Sequence, residues 1–259
     1  MDASGRAWRP SRAEILWVDG SGSVGRAFAW MTDPLRVLYL DNHLLVVDKP
    51  AGLLTQSDST GDEDLLTLAK AYIKRRFDKP GAVFAGLVHR LDRPASGTIV
   101  IARTSKAASR LSEQFRARTV GKRYLALVEG RLDGEGRRED WLLKERDRNG
   151  TRVRRVKPTK PGAKKAVLDW RALSVESRRS LIEVDLGTGR AHQIRVQLAA
   201  LGHPIQGDLK YGASKPFGGG RAIALHAREL TLDHPTQKER ISFAADLPTT
   251  WPHEIRSRF

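Results

Sequence analysis

Apolar and polar positions along this chain follow two periods, and the switches between them outline its elements. Val37-Leu38-Tyr39-Leu40 and Leu44-Leu45-Val46-Val47 flank the turn pair Asp41-Asn42 and predict a β-hairpin, stopped by Lys49-Pro50-Ala51-Gly52. Leu65, Leu68, Ala69, Tyr72 and Ile73 recur at helical spacing, with Asp62 as the expected cap. A strand is predicted over 98–102. A helix then follows, capped by Thr104 or Ser105, with Ala108, Leu111 and Phe115 on one face. Residues 124–128 alternate as a strand ending at Gly130, and 131–165 is polar, basic and Gly-containing, which predicts exposed loops or a hairpin. Residues 167–175 and 181–186 read as paired strands. After the turn Gly187-Thr188-Gly189, residues 191–201 have helical spacing through Ile194, Leu198 and Leu201, with Gly202 placed as a left-handed cap. Strands over 223–225, 230–232 and 241–243 complete the pattern, and Gly218-Gly219-Gly220 is a loop with no GK[ST] behind it.

Strands outnumber helices and often follow one another through short turns. This predicts an α+β fold: a mixed, mainly antiparallel central sheet with flanking helices and loops. Residues 1–33 are Arg-rich, Gly/Ser-rich around Ser21-Gly22-Ser23, and carry Trp8, Trp17 and Trp30. They are expected to form a partly irregular N-terminal extension, and 34–259 a single large domain.

Composition narrows the partners. Among 259 residues, 46 Lys+Arg stand against 30 Asp+Glu, a formal net charge of +16, which points to a polyanion and above all to nucleic acid. No apolar run approaches the ~20 residues of a membrane span, and no secretory leader is expected. The absence of cysteine excludes disulfides, thiolate metal sites and Cys nucleophiles, and fits a cytoplasmic location.

Against that basic background, His89-Arg90-Leu91-Asp92-Arg93-Pro94-Ala95-Ser96-Gly97 places one acid among cations. Cationic neighbours favour the charged form of a carboxylate, and a charged carboxylate is a nucleophile or a general base. Pro94 and Gly97 interrupt regular structure, so Asp92 is expected on a loop at a sheet edge. A surface ion pair with Arg90 or Arg93 is the bland alternative.

The same residues resemble the catalytic motif of the RluA-type RNA pseudouridine synthase family. Val47-Asp48-Lys49-Pro50-Ala51-Gly52 resembles the family's first motif, and Lys122-Arg123-Tyr124-Leu125-Ala126-Leu127-Val128-Glu129-Gly130 its tyrosine strand. Thr188-Gly189-Arg190-Ala191-His192-Gln193-Ile194-Arg195, with Gly202-His203-Pro204-Ile205 and Gly207-Asp208, resembles its arginine motif. Ala224-Leu225-His226-Ala227 resembles its last core strand. The resemblance implies the pseudouridine synthase fold over 34–259 as a catalytic domain. It implies an isomerase that breaks the bond between uracil N1 and ribose and rejoins the base through C5. No cofactor or metal is implied.

By the same resemblance Asp92 carries the essential role, Tyr124 stacks on the target uracil and Arg195 pairs with Asp92. Leu225 lies under the base, and Arg90 moves into the RNA stack as the base leaves. Arg190 is expected on phosphate, and His89 is grouped with the substrate-binding residues. Ala95 stands where relatives usually carry Thr. Arg195 falls near a helix N-terminus, where a cation opposes the dipole and needs another reason to be present. Lys49 is expected to support the fold or a phosphate, and His192 to hydrogen-bond backbone.

Two other readings remain open at this point. One is a non-catalytic RNA-binding or ribosome-assembly factor on the same fold. The other is a hydrolase using Asp92 and His89 as an acid/base pair. His89, His192, His203 and His226 lack metal-ligand spacing. The basic stretch Lys144, Arg146, Arg148, Arg152, Arg154, Arg155, Lys157, Lys160, Lys164 and Lys165 is expected on RNA backbone. The expected partner is ribosomal or transfer RNA, with no membrane and no metal, bound by a monomer.

Overall fold

The computed structural model describes residues 13–18, 24–29, 35–147 and 150–259. The chain divides into two units, Met1–Pro34 and Leu35–Phe259. In the first, β1 (Ala13–Val18) and β2 (Val24–Ala29) pair antiparallel. Ser21-Gly22-Ser23, Trp8 and Trp30 lie outside the described residues.

The second unit holds β3 (Arg36–Leu40), β4 (Leu44–Lys49), α1 (Leu65–Arg76), β5 (Gly86–Leu87), β6 (Ser96–Ala102), α2 (Ser105–Ala117) and β7 (Gly121–Glu129). There follow β8 (Glu135–Asp147), β9 (Gly150–Val156), β10 (Lys164–Val175), β11 (Arg179–Leu186), α3 (Gln193–Ala200), β12 (Leu225–Asp233), β13 (Arg240–Ala244) and α4 (His253–Arg256). They form an 11-stranded sheet in the order β3-β4-β6-β12-β7-β11-β10-β8-β9, with β13 on β12 and β5 on β6. Among the described strands only β12 and β6 pair parallel, at His226↔Ser96 and Ala227↔Gly97. The sheet is therefore mixed and mainly antiparallel.

The apolar runs of β4 and β6 are continuous because both faces are covered. Leu45, Val47, Ile99 and Ile101 pack with Leu65, Ala69, Tyr72 and Ile73 of α1. Leu44, Val46, Val100 and Ala102 pack with Ala107 and Leu111 of α2. The third cluster joins Leu125 and Leu127 of β7 to Ile194 and Leu198 of α3 and Ile255 of α4. Tyr124 packs against both this cluster and the α1 cluster, so it sits where two cores meet.

Several local expectations shift. α1 is capped by Asp64, whose carboxylate accepts the Thr67 N–H at 3.1 Å, while Asp62 pairs with Arg93 at 2.7 Å. The polar 131–165 stretch is mostly strand: β8 and β9 form a long hairpin, and β10 returns on β8. Residues 223–225 and 230–232 are not two strands. One strand, β12, runs Leu225–Asp233 and changes neighbour along its length, from β6 to β13. The loop carrying Asp92 leads into β6, an interior strand held between β4 and β12, and not to a sheet edge.

Gly97 explains how β6 and β12 come so close. Its φ is +115°, and a Cβ there would lie 2.3 Å from the Ala227 carbonyl oxygen. Beside it, His226 donates from Nε2 to the Ala245 carbonyl at 3.1 Å, which leaves Nδ1 to accept from the Ser96 hydroxyl at 2.9 Å. The Ser-Gly pair of the acidic motif is thus a strand-crossing device that locks the Asp92 strand to the Leu225 strand.

Candidate active site

Asp92 lies on the turn before β6, where the Ala95 N–H donates to the Asp92 carbonyl at 3.0 Å. Ala95 itself is buried in the core. The turn is fixed by the Lys49–Gly52 segment. Gly52 N–H donates to the Arg93 carbonyl at 2.8 Å and Arg93 Nε donates back to the Gly52 carbonyl at 3.0 Å. Lys49 is fully buried, and its Nζ donates to the carbonyls of Pro50 (2.9 Å), Leu53 (2.9 Å) and Arg93 (3.3 Å). Burial pushes the Lys49 pKa down to about 7, against the pull of the Asp92 and Asp48 charges. Lys49 therefore braces the loop and does not reach out to phosphate. The Thr55 hydroxyl donates to the Leu91 carbonyl at 2.8 Å and ties the other side.

Arg195 enters from the first turn of α3. Its Nη1 donates to Asp92 Oδ2 at 3.1 Å. Its Nε and Nη2 form a fork on Asp208, at 2.7 and 2.8 Å. Burial opposes the Arg195 charge, but the bonds to Asp208 and the charges of Asp92 and Asp208 outweigh it and raise its pKa. The unfavourable cation at a helix N-terminus is resolved here. Two carboxylates surround it, so the trio carries a net negative charge where the helix dipole favours one. Gln193 sets the approach: its Oε1 accepts from the Thr188 hydroxyl (2.7 Å) and the Arg190 N–H (3.0 Å), and its Nε2 donates to the Val167 carbonyl (2.9 Å).

The Asp92 side chain keeps 26% exposure, and Oδ1 has no hydrogen-bond partner among the described residues. It opens on a cleft of about 900 Å³. All seven candidate site residues line this cleft: Asp92, Tyr124, Arg195 and Leu225, together with Arg90, Arg190 and His89. The Tyr124 hydroxyl is held neutral, because burial and the Asp92 charge both push its pKa up. Leu225 is buried at the start of β12.

The outer members differ in kind. The Arg90 side chain is exposed, with no ion pair or hydrogen bond to another described residue. Arg190 is anchored through Nε on the Lys165 carbonyl at 3.0 Å. His89 faces inward chemically: its Nε2 accepts the Val100 N–H at 3.0 Å and its ring stacks on Phe115 at 4.7 Å. Burial pulls its pKa down to about 3. His89 thus supports the loop, and no ion pair or hydrogen bond joins it to Asp92. The hydrolase reading needs Asp92 and His89 as an acid/base pair, and the structure does not bring the two together as one.

His192 bonds a side chain and not backbone: its Nδ1 meets the Tyr211 hydroxyl at 2.7 Å. His203 binds the Glu129 carbonyl, so the four histidines serve four separate places. Among the described residues no group of three or more His, Asp or Glu could hold a metal ion. Asp208 and Tyr211 are the residues whose roles sequence reasoning missed. The only signal was an Asp behind Gly207, inside a motif and of a type usually solvated, yet Asp208 is 1% exposed.

In the basic hairpin, Arg154 pairs with Glu145 (2.8 Å) and Arg155 with Asp140 (2.8 Å), and on the adjoining β10 Lys165 pairs with Glu139 (2.7 Å). Lys144 reaches the cleft, with no carboxylate partner among the described residues. Arg148 lies outside the described residues.

The mixed sheet thus holds an arginine-bound carboxylate that opens on a cleft beside a neutral tyrosine. The family model for RNA pseudouridylate synthase matches residues 43–200. The chain is 36% identical over 222 residues to ribosomal large subunit pseudouridine synthase D of Nitrosomonas europaea, covering 83% of this chain and 62% of that protein. It is 36% identical over 233 residues to an uncharacterized RNA pseudouridine synthase of Bacillus subtilis, covering 87% and 72%. Among solved structures, human RNA pseudouridylate synthase domain containing 4 superposes with a TM-score of 0.68 at 26% identity, covering 83% of this chain and 89% of that one. The chain belongs to the RNA pseudouridylate synthase family.

Proposed function

We propose that this protein isomerises uridine to pseudouridine in structured RNA, with Asp92 as the reacting carboxylate. The observation that carries the reading is the asymmetry of that carboxylate: Oδ2 is held by Arg195 while Oδ1 is unpaired and opens on the cleft. A carboxylate fixed on one side and free on the other is prepared to attack, or to take a proton, without reorganising. The uridine must leave its stack to reach it, at a cost of a few kcal/mol that an aromatic or apolar surface offsets. Tyr124 and Leu225 supply that surface, with Tyr124 acting as a neutral phenol. Arg90, planar and unpaired, fits the gap that the departed base leaves.

The names of several relatives specify the ribosomal large subunit, which favours large-subunit ribosomal RNA over transfer RNA as the substrate here. Residues 1–33 are an extension to the catalytic domain 34–259, which acts as a monomer in the cytoplasm. No helix among the described residues is long and apolar enough to cross a membrane. Mapping pseudouridine across total RNA with and without this gene tests the reading. Loss of one or a few sites, with unchanged RNA mass, is expected; unchanged maps overturn it.

A further inference from the structure

A short hydrogen-bond chain runs from the basic hairpin to the helix that carries Arg195. The Val153 N–H on β9 donates to the Tyr211 hydroxyl at 3.1 Å. The same hydroxyl meets His192 Nδ1 at 2.7 Å. The Tyr211 oxygen already receives the Val153 proton, and its own proton has no other acceptor among the described residues. It therefore donates to Nδ1. An imidazole that accepts at Nδ1 carries its proton on Nε2. Nε2 has no partner among the described residues, and His192 lines the cleft that holds Asp92.

His192 is also held in an unusual place. It is the residue before α3, with a left-handed φ of 51°. Few non-glycine residues adopt that conformation, and where they do it marks a constraint maintained by the surroundings. Here the constraint is visible. Tyr211 packs edge-on to the imidazole, and Arg195 lies over the Tyr211 ring at 5.0 Å. Burial disfavours a second proton on the ring, with Arg195 and Lys210 adding to that effect and Asp92 opposing it. The backbone and Tyr211 together hold a neutral donor at the wall of the site.

We propose that His192 Nε2–H is a substrate-contacting donor, locked in that tautomer by Tyr211, and that it binds a carbonyl, hydroxyl or phosphate oxygen of the extruded nucleotide. Tyr211 is then a positioning residue that acts through His192. The inference rests on the isomerase reading for its substrate but not for its geometry.

The test combines ¹⁵N spectra of the His192 ring with single-turnover rates and RNA affinities. Three variants are compared: His192→Asn, His192→Gln and Tyr211→Phe. The Gln amide nitrogen reaches the place of Nε2, whereas the Asn amide falls short of it. Expected are an Nε2–H tautomer in the wild type and a rate loss of about five- to tenfold in His192→Asn, with affinity within a few-fold. His192→Gln recovers most of the rate, and Tyr211→Phe mixes the tautomers with an intermediate rate. An Nδ1–H tautomer, or a full rate in His192→Asn, overturns the proposal. If the wild type makes no pseudouridine, the isomerase reading fails, while the tautomer and the Tyr211→Phe spectrum still decide the geometric claim.

Discussion

Asp208 grips Arg195 through two nitrogens, at 2.7 and 2.8 Å, and so decides which nitrogen is left for Asp92. The guanidinium is planar, so two fixed contacts define its plane and aim Nη1 at the reacting carboxylate. Asp208 sits beyond the helix, thirteen residues after Arg195, and never needs to touch RNA to matter.

Asp208→Asn is expected to weaken the fork and leave Arg195 underneutralised in a buried site. Breaking one partner of a buried ion pair costs about 3–5 kcal/mol, and Asn retains part of it through one accepting oxygen. Turnover falls more than RNA affinity, and the urea midpoint drops. Arg195→Met shows the same ordering of rate over affinity. Unaltered rate and midpoint in Asp208→Asn would show that Arg195 does not need the fork.

Gly97→Ala is expected to destabilise strongly, by about 3 kcal/mol or more, because the new methyl meets backbone and not a movable side chain. That methyl would fall 2.3 Å from the Ala227 carbonyl oxygen, on a residue whose φ is +115°. Denaturant unfolding measures the loss, and a native-like midpoint refutes the close strand crossing.

The chain displays part of this arrangement and hides the rest. Asp92, Tyr124, Arg195 and Leu225 stand in ordered motifs, and the cleft gathers all four. Asp208 and Tyr211 are hidden because their meaning lies in a partner across the fold, not in local spacing. The strands of the basic hairpin are masked by their composition. Arg154 and Glu145 face solvent, so the pattern reads as a polar run even though Leu142 and Val153 alternate inward. Two acids two residues apart could each cap α1, and Arg93 takes Asp62 while Asp64 receives the helix N–H.

His226 gives the fold an acid limit. Burial draws its pKa from 6.5 down to about 4, so the folded protein keeps it neutral where the unfolded chain binds a proton. The unfolded state binds more protons between those values, so stability is full above pH ~6.5 and falls as pH drops toward 4. The contribution is roughly 3 kcal/mol. Urea unfolding from pH 7 to 4 should show a steeper loss in the wild type than in His226→Gln. Parallel curves would exclude a neutral buried imidazole.

Unpaired and paired cations of the hairpin should behave differently on RNA. Lys144→Ala is expected to weaken binding and lower the slope of log K against log salt by about 0.7 to 1. Arg154→Ala, whose cation already meets Glu145 at 2.8 Å, changes it less. Equal slopes for both variants would mean that the hairpin does not contact phosphate through Lys144.

The most direct measurement is pseudouridine formation by Asp92→Asn on unmodified RNA that the wild type converts, with the isomeric nucleosides separated by chromatography before mass spectrometry and RNA affinity measured in parallel. No product is expected from the variant, with binding within a few-fold of the wild type. Product formed at the wild-type rate would contradict it, since asparagine keeps the shape of the reacting side chain without its charge.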